Sequence, residues 1–301
     1  MKKTFVLLLT ALMCVTLLAS CARSKKNTVY IIGTTVGGSS YINYSPLLNS
    51  SYAMEFGSSI FEDHRASQTA QATVMGTTYS GHYMYSDRGS SSTLIRDCYN
   101  DDAGNRFTII RSNGKLAGFY RVLTHDETSP IVCTIDEGRE IAIDFLKDIT
   151  DIENYTLAST RSYRGVFEDT VCEYAYHFVR MLGEYETSDQ IFIYIDCRRA
   201  CIHNYFCYSI SEFENTSLPS TFDFDNTLSA LCAGTRDIWN QTLPFSTPET
   251  SIQQLTFQAQ RNTYSLVKTS DGHLALSTTV EVSGIGDDGR TEAIGAVIII
   301  D

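Results

Sequence analysis

The apolar and polar positions divide the chain into stretches of different period. Thr4 to Leu18 is apolar and uncharged, and Lys2 and Lys3 precede it. Residues 22–50 are polar, rich in Ser, Asn, Gly and Thr, and read as a tether with one short strand at Val29 to Ile32. Within 51–70 the stretch "YAMEFGSSIFEDHRA" predicts a helix interrupted by Gly57 and two serines. From Val74 the period falls to two. "TTYSGHYMYS" (77–86), "STLIRDCY" (92–99), "RFTIIR" (106–111) and "KLAGFYRVL" (115–123) predict a β-meander. Asn113-Gly114 predicts a type I′ hairpin turn, because both residues tolerate positive φ.

The period then changes to 3.6 in "TIDEGREIAIDFLKDI" (134–149). Thr134 and Glu137 have capping-box spacing. Ile141, Ala142, Phe145, Leu146 and Ile149 share one helical face, with charged residues opposite or flanking. Strands are expected at 155–163, 171–182, 190–196 and 201–208. In the second, Cys172, Tyr174, Tyr176 and Phe178 share a face. A second helix is expected within 225–243, weakened by Gly234 and Thr235. Strands follow at 252–260, 263–269, 274–282 and 291–300, with turns at Asp271-Gly272 and Asp288-Gly289. The closing "AVIII" (296–300) is too short to span a bilayer and reads as a strand. The order helix then four strands occurs twice. The expected class is therefore α+β, with repeated helix-plus-antiparallel-sheet units preceded by a β-meander.

The beginning of the chain carries an address. A positive start, a short apolar core and small residues after it read as a secretory signal. "LASC" (Leu18 to Cys21) resembles the bacterial lipobox at every position. The resemblance implies diacylglycerol transfer to the Cys21 sulfur and cleavage after Ser20. Two acyl chains give stable anchoring where one is marginal. Cleavage removes two lysines and no acid, so the net charge moves from −12 to −14. That charge disfavours nucleic acid, whose phosphates it would repel. Cleavage also removes Cys14, and besides Cys21 the cysteines that remain stand at 98, 133, 172, 197, 201, 207 and 232. Their odd number leaves at least one thiol free if all bonds are intramolecular, and no spacing forms a disulfide framework.

The 134–204 segment resembles a PepSY-type unit, in which a Ser/Thr-x-x-Glu-capped helix precedes an antiparallel sheet. Gly183, Thr187, Asp189, Ile191, Ile193, Ile195 and Asp196 match its last strand pair, while Arg198-Arg199-Ala200 replaces the turn glycine. The preceding "YNDDAGNRFTIIRSNGKLAGF" resembles hairpins that precede such units in clostridial-type lipoproteins. The resemblance implies an exported, non-catalytic module associated with regulating peptidases or with envelope processes. It brings no catalytic residues.

"CRRACIHNYFC" (197–207) has the most chemical potential. On a regular strand Cys201, His203, Tyr205 and Cys207 would share one face. With Cys197 across the turn, three thiols and an imidazole would converge on a metal, although the spacing is no standard zinc framework. A Cys197–Cys201 disulfide and plain buried thiols are the other readings. "SNGK" formally contains Ser-x-x-Lys, but Asn-Gly makes it a hairpin. "EDHR" (62–65) and "THDE" (124–127) place acids beside a histidine as ordinary surface composition. "NDDAGN" and "GDDGR" read as turns, and "GTTVGGSS" (33–40) lacks the Lys-[Ser/Thr] of a phosphate loop.

These readings divide the chain into a signal (1–20), a tether (21–50), a β-rich region (51–124), a PepSY-like unit (130–210) and a second α+β unit (222–301). The expected protein is a lipoprotein anchored to the cell membrane on its extracytoplasmic face. It has no catalytic residue, no metal and no cofactor. It binds or regulates an envelope or surface protein through sheet faces and edges. The alternative is an extracytoplasmic hydrolase whose site comes together only in the fold.

Overall fold

The computed structural model describes residues 28–35, 59–88, 94–123, 129–164, 171–207, 210, 212–242, 255–269, 272–285 and 290–300. The signal, Cys21 and most of the tether lie outside them, as do "THDE" and the Asp288-Gly289 turn. The strands are β1 (Val29–Thr35), β2 (Ser59–Phe61), β3 (Thr69–Val74), β4 (Thr77–Arg88), β5 (Ile95–Asn100), β6 (Arg106–Ile110) and β7 (Leu116–Tyr120). Helix α1 (Ile135–Ile149) and a single 3-10 turn (Ile152–Asn154) follow. Next come β8 (Tyr155–Arg164), β9 (Val171–Leu182), β10 (Tyr185–Asp196) and β11 (Cys201–Cys207). Helix α2 (Phe224–Thr242) leads to β12 (Thr256–Ala259), β13 (Ser265–Lys268), β14 (Leu274–Ile285) and β15 (Arg290–Ile299).

These strands form one 15-stranded sheet. Its main path runs β1-β15-β14-β13-β10-β11-β7-β6-β5-β4-β2, with β12 on β14, β3 on β4, β9 on β10 and β8 on β9. This overturns the expectation of repeated helix-plus-sheet units behind a separate meander. Only two α-helices are described, and they sit on one continuous, mainly β structure. The reason lies at the strand edges. β11 is taken up by β7 of the meander, from Asn204↔Tyr120 to Phe206↔Gly118. β10 leaves its partner β9 between Glu186 and Gln190, and there Thr187 meets Leu266 of β13 in parallel. β1 stands where a short strand was expected within the tether, and it closes the outer edge of β15. A period of two specifies which face of a strand is buried and is silent about the edge it will pair.

Local chemistry explains the elements. Thr134 accepts the Glu137 amide at 3.3 Å, and the Glu137 carboxylate accepts the Thr134 amide at 2.8 Å, so the capping box forms as expected. The α1 face carrying Ala142, Phe145 and Leu146 is buried against β9, β10 and β11. Described residues 59–65 of the helix expected within 51–70 form β2 and a turn instead. β3, which the pattern did not mark, pairs with β4 through a two-residue turn, Met75-Gly76, with φ of 49° and 75°. Both angles are those of a type I′ turn. At the expected Asn113-Gly114 hairpin only Gly114 is left-handed, and its amide bonds the Ile110 carbonyl at 2.8 Å, so that turn is not type I′. At the glycine-less turn Ala200 itself takes φ 48°, while the Asp196 carboxylate accepts the Arg198 and Arg199 amides.

Two apolar cores result. One lies between α1 and the sheet, and includes a cross-strand row Tyr99, Phe107, Phe119, Tyr205, Ile193 and Tyr176. The other lies between α2 and β1, β12, β14 and β15. Ala296 to Ile300 is buried along its whole length, as suits a strand covered on both faces.

Candidate functional site

Side chains alternate across the sheet, so the strands under α1 present a second face opposite it. On that face the register brings Thr108, Gly118, Phe206, Phe192 and His177 into one row across β6, β7, β11, β10 and β9. A neighbouring row holds Arg106, Tyr120, Asn204, Tyr194, Ala175 and Arg161. Helix α1 packs on the opposite face, and α2 contacts β1, β12, β14 and β15.

The rings of the two rows are continuous. Tyr163 lies 6.1 Å from Tyr194, Tyr194 6.1 Å from Phe206, and Phe206 4.9 Å from Phe192. Phe192 stacks on His177 at 4.3 Å and 5°. Burial pushes the His177 imidazole down, which keeps it neutral and suited to stacking. Tyr120 and Tyr163, at the borders, are about 40% exposed. Charged groups flank the rings. His203 Nδ1 is 2.6 Å from Glu173 Oε2, Tyr120 tilts over His203 at 5.3 Å, and Arg106 and Arg161 are exposed. Ring faces edged by charge and hydroxyls are the chemistry that dominates protein recognition surfaces.

The structure divides the residues in which the sequence concentrates chemistry. A bulge places both Ile195↔Ile202 and Tyr194↔Asn204 in register, leaving His203 as the extra residue. Tyr205 and Cys207 therefore share the buried face with Ile202, while Cys201 and His203 lie toward the ring face. Ile202, apolar and out of phase with Tyr205 and Cys207, was the readable sign of this break. Cys197 is fully buried, and its backbone bonds Cys133, Val132 and Cys172. No disulfide joins any two of the seven described cysteines. Burial pushes the Cys197 and Cys207 thiols up to about 12 and raises that of Cys201 as well. Among the described residues no three His, Cys, Asp or Glu side chains group closely enough to hold a metal. In "NDDAGN" the Asp101 carboxylate caps the turn through the Ala103 and Asn105 amides. Lys115 of "SNGK" pairs with Glu214. Cys21 lies outside the described residues, and among those described no helix is long and apolar enough to cross a membrane.

Two polar clusters and a groove escaped the sequence. Asp63 and Asp97, far apart in sequence, share Arg111, at 2.7 Å and 2.5 Å. Ser86 completes that network by donating to Asp97. Hydrogen bonds from Arg65 and then Arg111 hold the Asp63 carboxyl well below the usual carboxylate range. Under the 3-10 turn, Arg180 is bidentate to Asp151 and lies 5.4 Å from the Tyr155 ring, whose hydroxyl donates to Asp189 at 2.7 Å. The groove, of about 790 Å³, lies between α2 and β12.

No family model and no curated protein matches the chain. Among solved structures, the Bacillus megaterium YpeB C-terminal domain is similar over 88% of this chain and 95% of its own, at 10% identity and a TM-score of 0.34. So distant a likeness assigns neither fold nor activity to this chain.

Proposed function

We propose that the chain is an extracytoplasmic lipoprotein, held to the membrane through Cys21, that acts as a non-catalytic binding module for an envelope or surface protein. The observation that supports the reading is the run of rings Tyr163, Tyr194, Phe206, Phe192 and His177 on the sheet face opposite α1, bordered by the exposed rings of Tyr163 and Tyr120. Rings on a rigid sheet lose little conformational freedom when a partner covers them. A peptidase is the partner class that the sequence resemblance suggests. The alternative, an extracytoplasmic hydrolase, would be built on His203 and Glu173, whose Nδ1 and Oε2 lie 2.6 Å apart and would serve as a base and its orienting acid. The thiol on the same strand, Cys201, is pushed up by burial, opposite to an activated nucleophile.

The test is crosslinking on intact membranes followed by recovery of the chain. Mass spectrometry should find a diacylglyceryl group on Cys21, and one envelope protein should be recovered with the native chain and lost with Tyr163→Ser. Recovery of none, together with substrate turnover that His203→Ala abolishes, would establish the hydrolase instead.

A further inference from the structure

The groove beside α2 has the features of a strand-addition site, independent of the ring face. β12 pairs with β14 along one edge, from Thr256↔Ser283 to Ala259↔Val280. The Gln260 amide donates to Thr279 at 2.8 Å. Hydrogen-bonding direction alternates along an antiparallel strand, so the backbone groups of Phe257 and Ala259 point away from β14. Among the described residues no strand pairs with that second edge. It faces the groove of about 790 Å³, whose far wall is one face of α2. That wall carries the small residues Ser229, Cys232 and Ala233, which leave the groove open beside β12. Cys232 lines the same groove, and its sulfur is a weaker acceptor for a strand-edge amide than a peptide carbonyl.

Charge selects the occupant. Within the groove Asp225 is matched by Arg261 at 2.5 Å, and Glu281 accepts from Gln260. Arg236 lies 5.3 Å from the Phe257 ring centre and, among the described residues, forms no ion pair. A guanidinium fixed on an aromatic ring at the end of a polar edge is a ready partner for a carboxylate. We propose that this groove binds an extended peptide segment, added as a strand to β12 at Phe257 and Ala259, with an acidic residue against Arg236.

The test uses the full chain and a phage-displayed library of short random peptides. Selected peptides should carry Asp or Glu within an extended, proline-free stretch. Ala259→Pro removes the outward amide and leaves the β14-facing bonds in place. Arg236→Glu reverses the exposed charge. Each should weaken binding of the best selected peptide about tenfold or more, a loss of the size that a charge-assisted contact carries. The Arg236→Glu variant should keep the native melting temperature, and the same peptide should slow iodoacetamide alkylation of Cys232. Several outcomes would overturn the proposal: no enriched peptide, selected peptides without acidic residues, or peptides that bind both variants as tightly as the native chain. Sedimentation showing that a second copy of the chain occupies the β12 edge would overturn it too.

Discussion

The Tyr176 hydroxyl occupies the space that a side chain at position 138 would need. A Cβ built on Gly138 would lie 2.5 Å from that oxygen, which donates to the Ile135 carbonyl at 2.6 Å. Helix α1 therefore approaches β9 at a point where only glycine fits. Alanine is the better helix former by about 1 kcal/mol. Packing should outweigh that gain: Gly138→Ala is expected to lower stability by about 2 kcal/mol in urea unfolding. Adding Tyr176→Phe should recover part of the loss. A more stable Gly138→Ala would show that the helix sits farther from the sheet.

The Met75-Gly76 turn predicts a gain. Met75 is exposed, with φ of 49°, a conformation that costs a non-glycine residue roughly 1 kcal/mol. Asn tolerates it, and Asn-Gly is the preferred pair for this turn. Met75→Asn should raise the melting temperature by a few degrees, as roughly 1 kcal/mol implies. An unchanged or lower value would contradict the turn geometry.

Asp189 predicts the pH dependence. It is fully buried, one oxygen has no partner, and burial pushes its carboxyl from the ordinary 3.8 up to about 6. The Tyr155 hydroxyl and the Arg180 cation oppose that rise, while Asp151 and Glu214 add to it. The folded chain holds this proton more tightly than the unfolded chain. The contribution is whole below the unfolded value near 3.8 and is lost as pH rises through about 6. The loss amounts to about 3 kcal/mol. Asp189→Asn should therefore be more stable than the native chain at neutral pH and nearly equal to it in acid. Unfolding curves at both pH values check this, and equal differences at the two would contradict it.

Thiol chemistry separates the two faces of the β10–β11 hairpin. Cys98, Cys133, Cys197 and Cys207 are buried, whereas Cys172, Cys201 and Cys232 are partly exposed. Among these seven, alkylation of the native chain should label the second group first, as read by peptide mass spectrometry. Mild oxidation should produce no Cys197–Cys201 bond, because the bulge at His203 and burial of Cys197 set the two apart. Detection of that bond would contradict the register.

Much of the local structure was legible, since periodicity and caps are local. β9 was expected at 171–182 and spans Val171–Leu182; α1 was expected at 134–149 and spans Ile135–Ile149 behind its Thr134 cap. Gly234, which weakens α2 on propensity, is explained only by Val29, 2.5 Å from where its Cβ would be. That contact comes from β1, at the short strand expected within the tether. The architecture was not legible because it depends on edges: Thr187↔Leu266 and Asn204↔Tyr120 join segments whose sequences contain no sign of each other. The site was partly legible. His203 and Cys201 were singled out, but Glu173 and the ring row depend on register, and one bulge residue moved Cys207 to the other face.

The binding reading is tested most directly by photo-crosslinking in the cell. A photoreactive residue at Tyr163, at the border of the ring row, should capture one envelope protein. The same residue at Glu140, exposed on the outer side of α1, should capture none. No adduct at Tyr163, or the same adduct from both positions, would contradict the assignment of the ring face as the binding surface.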